Sequence, residues 1–483
     1  MSNPKKIALN TLIMYGRMLF IMFISLYSVR VLLKTLGVVD YGIYNVVSGI
    51  VLMLTFISAT LESATQRYYS IAIGEKNKLK IKQIFNLSFL IYIIFCIFIL
   101  LLAETIGLWF INSQMQIPPN RIIAANWIYH FSVASIIFTM VSIPYSALLI
   151  ANEEIGVYSV ISVFDAVFKL LIIYAISLFQ WDKLILYGFF AFTIVVFKFI
   201  TFLLVSRRKY TECKFGFVWE KDLFKSMISY SGWTFFGSVA NILNNHGNNI
   251  LINIFFGPIA NAARGIAFQV SNVLSSFLSN LFIVARPPIF ISYAKNDMHY
   301  MMMLFYSTSK ISYYLMLLIF IPLFFECEYI LNIWLGDAGK YMVEFTRLSL
   351  IYTFILGQNN PITTVIQATG QVKKYYTIVE SITLLSLPLT FIAFKTGYSV
   401  TSTFYISIFI FAIAHLIRLV ILYGEIKFSI KNYLKEFIVP SIIVTATTIL
   451  ISYAIVQSIE DGFLRFLTII SITIIFGTIS VYF

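Results

Sequence analysis

Charge is scarce in this sequence. Only 11% of its 483 residues are Asp, Glu, Lys or Arg, and 60% are hydrophobic, whereas soluble domains carry about 25% charged residues. No polar stretch exceeds about 20 residues, which leaves no room for a sizeable soluble domain. Cysteine is equally sparse. Cys96, Cys213 and Cys327 stand far apart in or near apolar segments, which excludes a disulfide framework and a cysteine metal site. No phosphate-cradling glycine loop of the ATPase kind occurs, so direct use of ATP is excluded. Carboxylates are few inside the apolar segments. The longest outer connection, 105–121, holds neither histidine nor paired carboxylates, which argues against a membrane-embedded polymerase or glycosyltransferase.

What is present is a succession of apolar runs of about 20 residues, each long enough to cross a bilayer as a helix. Fourteen are expected: 9–33, 41–62, 84–104, 122–150, 156–177, 184–205, 224–255, 261–290, 304–325, 342–369, 375–394, 400–423, 437–457 and 463–482. The chain therefore reads as an all-α polytopic membrane protein. The first run follows Lys5 and Lys6, is too long for a signal peptide and lacks a small-residue cleavage site, so it is expected to remain as the first span. With the N-terminus inside, the basic clusters Lys76 to Lys82, Arg207 to Lys221 and Lys427 to Lys435 all fall on one side, and the other side holds only scattered basic residues. By the positive-inside rule both termini are cytoplasmic. Much of the net charge of +13 belongs to these loops, so nucleic acid is not an expected partner and membrane lipid is.

An internal repeat is visible. Residues 37–77 align without gaps on 257–297 at an offset of 220, pairing Gly37 with Gly257 and Leu61 with Leu281. Pro144, Ala151 and Tyr158 meet Pro361, Ala368 and Tyr375 at an offset of 217. Two blocks at nearly one offset imply two parallel six-helix halves, with a working site expected at their interface. The expected division is 1–205, a basic cytoplasmic linker 206–223, a second half 224–423, and two additional helices in 424–483. Pro144 and Pro361 lie inside the fourth and tenth spans. A proline there frees a carbonyl and kinks the helix, as a moving hinge or as a static bend.

The stretch from Ser238 to Arg286 is unusually polar for a membrane segment. Asn241, Asn244, Asn245, Asn248 and Asn249 fall within roughly 140° of one another on a helix. After Gly257 and Pro258, Arg264, Ser271, Ser275, Ser279 and Arg286 share a sector of roughly 80°. The two arginines are about 33 Å apart along a helix, close to the hydrocarbon thickness. Such residues can line ordinary helix contacts or a polar path, and their coincidence favours the path. Other ionisable residues within spans include Arg17, Arg30, Asp165, Lys169, Lys198, Glu380, His415 and Arg418. Arg17 and Arg30 point to roughly opposite sides of one helix, and Arg17 is the cavity candidate. Asp165 and Lys169 are spaced to form an i,i+4 pair, either structural or ion-coupling. Gln358 and Asn359 make the Pro361 bend polar. The mainly cationic interior suits an anionic substrate.

The stretch Ser142-Ile-Pro-Tyr-Ser-Ala-Leu-Leu-Ile-Ala-Asn-Glu-Glu, the opening Leu36-Gly37 with Asp40-Tyr41-Gly42-Ile43-Tyr44, and the twelve-plus-two pattern resemble bacterial polysaccharide-biosynthesis membrane proteins of the O-antigen translocase type. These belong to the multidrug/oligosaccharidyl-lipid/polysaccharide exporter superfamily. The resemblance implies a MATE-like fold and a flippase, not an enzyme. It would move an oligosaccharide on an undecaprenyl pyrophosphate carrier, in lipopolysaccharide or other surface-polysaccharide synthesis. Movement would run from the cytoplasmic to the outer leaflet of the bacterial inner membrane by alternating access. No cofactor is implied; a proton or sodium gradient would supply the energy, and polymerase or ligase machinery would be a partner. Arg17 and Arg264 are similar, by span, to arginines that flippases of lipid-linked precursors use. The alternatives are a multidrug/cation antiporter of the same superfamily, which wants an acidic cavity, and a membrane polysaccharide polymerase.

Overall fold

Gly37 and Gly257 set the layout of the chain. In the computed structural model, which describes residues 4–52, 55–115, 117–213, 216, 219–335 and 340–482, each interrupts a long helical run with the same backbone conformation: φ 80°, ψ 168° at Gly37 and φ 79°, ψ −173° at Gly257. Only glycine occupies that region without strain. Gly37 divides α1 (Pro4–Leu52) and Gly257 divides α8 (Lys221–Ala294). Among the described residues no atom stands within 4 Å of the position of a Cβ at either residue, so a Gly→Ala change acts through the backbone. Each substitution is expected to destabilise the folded protein by about 1–3 kcal/mol. A thermal unfolding midpoint equal to that of the parent would refute this.

The first half continues as α2 (Thr55–Gly74), α3 (Lys78–Leu102), α4 (Leu108–Gln114), α5 (Ile122–Ala151), α6 (Ile155–Ile176) and α7 (Lys183–Lys209). After α8 come α9 (Met298–Phe325), α10 (Cys327–Leu335), α11 (Lys340–Gly357), α12 (Asn359–Thr369), α13 (Val372–Leu384) and α14 (Ser386–Lys395). The chain ends with α15 (Ser402–Ile426), α16 (Ile430–Tyr433), α17 (Val439–Ser458) and α18 (Phe463–Tyr482). Among the described residues 91% are helical, and the chain is a multi-pass membrane protein.

Where its residues are described, each of the fourteen expected spans falls mainly on helix, and ten helices among the described residues are long and apolar enough to cross a membrane. The other four have identifiable departures. The amides dilute 224–255 and Gln358 breaks 342–369, while 41–62 and 463–482 include residues whose side chains lie outside those described.

The repeat seen in the sequence recurs in the turns. Lys76 and Asn296, 220 positions apart, both take positive φ (55° and 57°). The next residues, Asn77 and Asp297, each cap the following helix by accepting a hydrogen bond from a backbone N–H three residues on. Glu153 and Gly370, 217 positions apart, also share positive φ (59° and 81°). The two prolines differ. Pro144 is buried within a continuous α5, whereas at Pro361 the tenth span is two helices, α11 and α12. Pro361 has no N–H to offer the carbonyl of Gly357, and the Asn360 side-chain amide donates to that oxygen instead, at 3.4 Å.

Two compact units result, Met1–Ser231 and Gly232–Phe483. The boundary lies eleven residues into α8. The first turns of α8 pack with the first unit: Tyr230 meets Tyr68 edge-on at 6.0 Å and stacks under Arg67 at 4.9 Å. In this unit α5 packs on α2 and α7, α1 on α6, and α6 on α7.

Arg121, at the entry to α5, ties two of these elements together. Its guanidinium donates to both carboxylate oxygens of Asp40 in α1 and to Asp182, the residue that caps α7. Burial works against ionisation of Asp182, but Arg121 and the backbone N–H groups of Leu184 and Ile185 outweigh it and hold the carboxyl below its ordinary range. A depressed folded-state value means that the contribution to stability is present above the unfolded value, about pH 4, and is lost as pH falls through the folded one. Thermal unfolding from neutral pH down to about pH 3 is expected to show a smaller acid loss in Asp182→Asn than in the parent. An identical acid slope would refute the assignment.

In the second unit α15 packs on α11 and α13, and α9 packs on α17 and α18. Ala260, Ala263 and Ala267 on α8 make a smooth surface on which Phe345 and Phe404 sit fully or nearly buried.

Candidate functional site

Within the first unit, α1, α6 and α7 enclose a cavity of about 480 Å³. Arg17 reaches it from α1, Asp165 and Lys169 from α6, and Lys198 from α7. The 3.6-residue helical repeat puts Asp165, Lys169, Tyr158 and Ser162 on one face of α6. One carboxylate oxygen of Asp165 accepts from Lys169 at 3.0 Å and faces Lys198 at 3.7 Å. The other oxygen is buried and has no hydrogen-bond partner among the described residues. Arg17 lies over the ring of Tyr158, 5.2 Å from its centroid. Glu62 on α2 is close enough to act electrostatically on Tyr158 and Lys198. Three cations and one carboxylate line the cavity, with Glu62 beside it; both lysine side chains are partly exposed and Asp165 is largely covered. Tyr41, Tyr44, Tyr187, Ser25, Ser28 and Ser162 complete the wall. An adjoining space of about 330 Å³ shares Lys169, Tyr44 and Tyr187 and adds the hydroxyls of Ser58, Ser132, Ser135 and Thr139.

Such a site can hold an anion by charge-assisted hydrogen bonds, with hydroxyl donors and acceptors beside it for polar groups such as sugars. Among the described residues no cluster of His, Cys, Asp or Glu could hold a metal ion.

The second unit treats the polar residues of α8 differently. The Asn244 amide donates to the Thr383 carbonyl and to Ser386 Oγ, both at 2.8 Å. Asn248 donates to Asn244 Oδ1 at 2.9 Å and accepts from Thr403 at 3.3 Å. Asn248 is thus spent on packing α8 against α15, not on an open path. A buried amide in a membrane protein is stable only when its donors and acceptors are met, and neighbouring helices meet them here.

Arg264 is buried, donates to the Asn245 carbonyl at 3.0 Å and lies 4.4 Å from the ring centroid of Phe268. It lines a narrow pocket together with Asn244, Asn248 and Tyr352. Asn241 and Asn245 hydrogen-bond to each other, and Asn249 is half-buried. On the other stripe Ser271 is buried against Ser349, Ser275 is exposed, and Arg286 is half-buried. Asn359 is buried and its Oδ1 meets His415 Nδ1 at 2.8 Å, while Gln358 is half-buried beside Met316. Arg418 donates to Tyr375 at 3.0 Å and lies 4.0 Å from Glu380. The side chain of Arg30 lies outside the described residues.

Sequence reasoning placed Lys198 among the intramembrane charges without joining it to Asp165, and it passed over Glu62. The 33 positions between Asp165 and Lys198 cross a turn, and no local spacing encodes that contact.

No protein-family model matches the chain, and no curated protein matches it. Solved structures do. A MATE protein in its bent conformation superposes with a TM-score of 0.77 at 11% identity, over 88% of this chain and 95% of that one. A point mutant of the Vibrio cholerae MATE transporter VcmN gives 0.71 at 16% identity, over 88% and 97%. A MOP superfamily transporter from Pyrococcus furiosus, for which reverse polarity of the binding pocket suggests a different function, gives 0.72 at 11% identity, over 88% and 96%. The chain shares the fold of the MATE transporters.

Proposed function

We propose that this chain is a flippase for an anionic lipid-linked oligosaccharide, an undecaprenyl-pyrophosphate-linked unit of O-antigen or another surface polysaccharide. The carrying observation is the cavity in which Arg17, Lys169 and Lys198 outnumber the carboxylates. Bringing a pyrophosphate into a membrane interior requires cationic donors to replace its water, and guanidinium and ammonium groups supply them. The tyrosines and serines of the wall then serve the sugar. The MATE fold supports transport by alternating access. That one MOP transporter of this fold is described with a pocket of reversed polarity fits a family in which pocket charge follows the cargo. In this reading the chain sits in the bacterial inner membrane with both termini cytoplasmic, draws on a proton or sodium gradient, and hands its cargo to polymerase or ligase machinery.

A second reading, a drug/cation antiporter, draws on Asp165 and Glu62 in the same region and fits the fold equally. The deciding experiment is a deletion strain whose lipid-linked oligosaccharides are labelled with a sugar-specific reagent before and after the inner membrane is permeabilised. Complete units trapped on the cytoplasmic face, and released when the gene is restored, are the expected result. Complete units already outside would end the flippase reading. Normal surface polysaccharide with no trapped units would bring the antiporter forward.

A further inference from the structure

A second feature of the first unit touches the cavity from the lipid side. Between α6 and α7 runs a groove of about 780 Å³. Val160, Phe164 and Phe168 line it from α6, and Phe197, Thr201 and Val205 from α7. Val160, Phe164 and Phe197 are each more than half exposed. The groove is apolar along most of its length but holds Glu154 at one end and Asp165 and Lys198 midway, and the latter two also line the central cavity. The groove and the cavity therefore share one wall at a charged pair.

Depth gives that wall its meaning. Asp165 is the eleventh of 22 residues in α6, and Lys198 the sixteenth of 27 in α7. At 1.5 Å per residue, Asp165 lies about 15 Å along α6, and Lys198 about 16 Å back from the end of α7. Both are near the middle of a hydrocarbon layer about 30 Å thick. An ordinary phospholipid keeps its phosphate at the membrane surface and has no reason to place it there. A carrier lipid whose phosphate enters the cavity does: its chain cannot follow into a polar space and must leave sideways at the depth of the phosphate. We propose that the groove between α6 and α7 seats the polyisoprenyl chain of the cargo, with its proximal phosphate on Lys198. This rests on the lipid-linked reading of the substrate.

The test uses the purified full-length protein and a radiolabelled long-chain polyprenyl phosphate, with geranyl phosphate and phosphatidylglycerol as competitors. Val160→Trp and Thr201→Trp narrow the groove from opposite walls at lipid-facing positions, and unchanged thermal unfolding certifies each fold. Each is expected to weaken long-chain binding by about tenfold and to leave geranyl phosphate binding within about twofold of the parent. Long-chain binding unchanged in both variants, with Lys198→Gln alone weakening it, would overturn the groove and keep the phosphate site. Displacement by phosphatidylglycerol as effective as by the polyprenyl phosphate would assign the groove to bulk lipid and also overturn the proposal. Failure of the folded parent to bind any isoprenyl phosphate would remove the substrate reading itself.

Discussion

Asp165→Asn is expected to leave export largely intact, whereas the triple change Asp165→Asn, Lys169→Gln, Lys198→Gln abolishes it. The arithmetic comes from the cavity. Asp165 lies 3.0 Å from Lys169 and 3.7 Å from Lys198, so in the proposed reading it competes with the cargo for both. Neutralising it frees two ammonium groups for phosphate, so retention of an anionic lipid should hold or tighten. Removing the lysines deletes two charge-assisted hydrogen bonds, each worth about 1.5–3 kcal/mol. That sums to roughly 3–6 kcal/mol, a loss of about 100-fold or more in binding or in transport. The triple variant is the informative one. It also removes the carboxylate that would otherwise be stranded inside the unit, so loss of function is not loss of fold. An antiporter of cations predicts the opposite order, with Asp165→Asn inactive and the lysine changes mild. The readout is the fraction of lipid-linked oligosaccharide accessible from outside, normalised to protein in the membrane. Inactive Asp165→Asn together with near-normal export by the double change Lys169→Gln, Lys198→Gln, at normal protein level, would defeat the flippase assignment.

The helices and the repeat were legible because both are written in local patterns. Twenty-residue apolar runs need no tertiary information, and Gly37 and Gly257 carry a backbone conformation that other residue types adopt only with strain. The i,i+4 pair of Asp165 and Lys169 was legible for the same reason. Which face of a polar helix meets a cavity was not. Asn241 to Asn249 and Arg264 share a pattern that suits either a channel wall or a helix contact. What separates the two is the partner across the gap, here Thr383, Ser386 and Thr403, all more than 100 positions away. The cavity of the first unit draws Arg17, Asp165 and Lys198 from three helices, and its charge balance emerges only from their packing. Glu326 and Arg465 illustrate the same limit, since they stand 139 positions apart and neither belonged to the intramembrane set read from the sequence.

Arg465→Ala is expected to lower the stability of the folded protein by about 3–5 kcal/mol. Glu326 closes α9 and is fully buried, and Arg465 lies in the first turn of α18 and is almost so. The pair is bidentate, Nε to Oε1 at 2.7 Å and Nη2 to Oε2 at 2.9 Å, with Asp461 on the same guanidinium. Truncating the arginine leaves a carboxylate in the interior with no counter-charge, and that stranded group, not the lost attraction, dominates the effect. Its consequence is local to the end of the chain. The last two helices hold to α9 through this pair, through Tyr313 on Thr445 at 2.6 Å, and through Tyr314, Leu317 and Ile321 packed with Ile469. Replacing both charges, Glu326→Leu with Arg465→Met, should restore stability to the parent level or exceed it by about 1–4 kcal/mol, because neither charge then needs burying. Thermal inactivation at one scan rate in one detergent measures all three proteins on a common kinetic scale. If Arg465→Ala melts with the parent, the pair contributes nothing and apolar contacts alone dock α18. If the double change is as weak as Arg465→Ala, the bidentate geometry itself holds α18, because an apolar pair of similar volume would have failed to replace it.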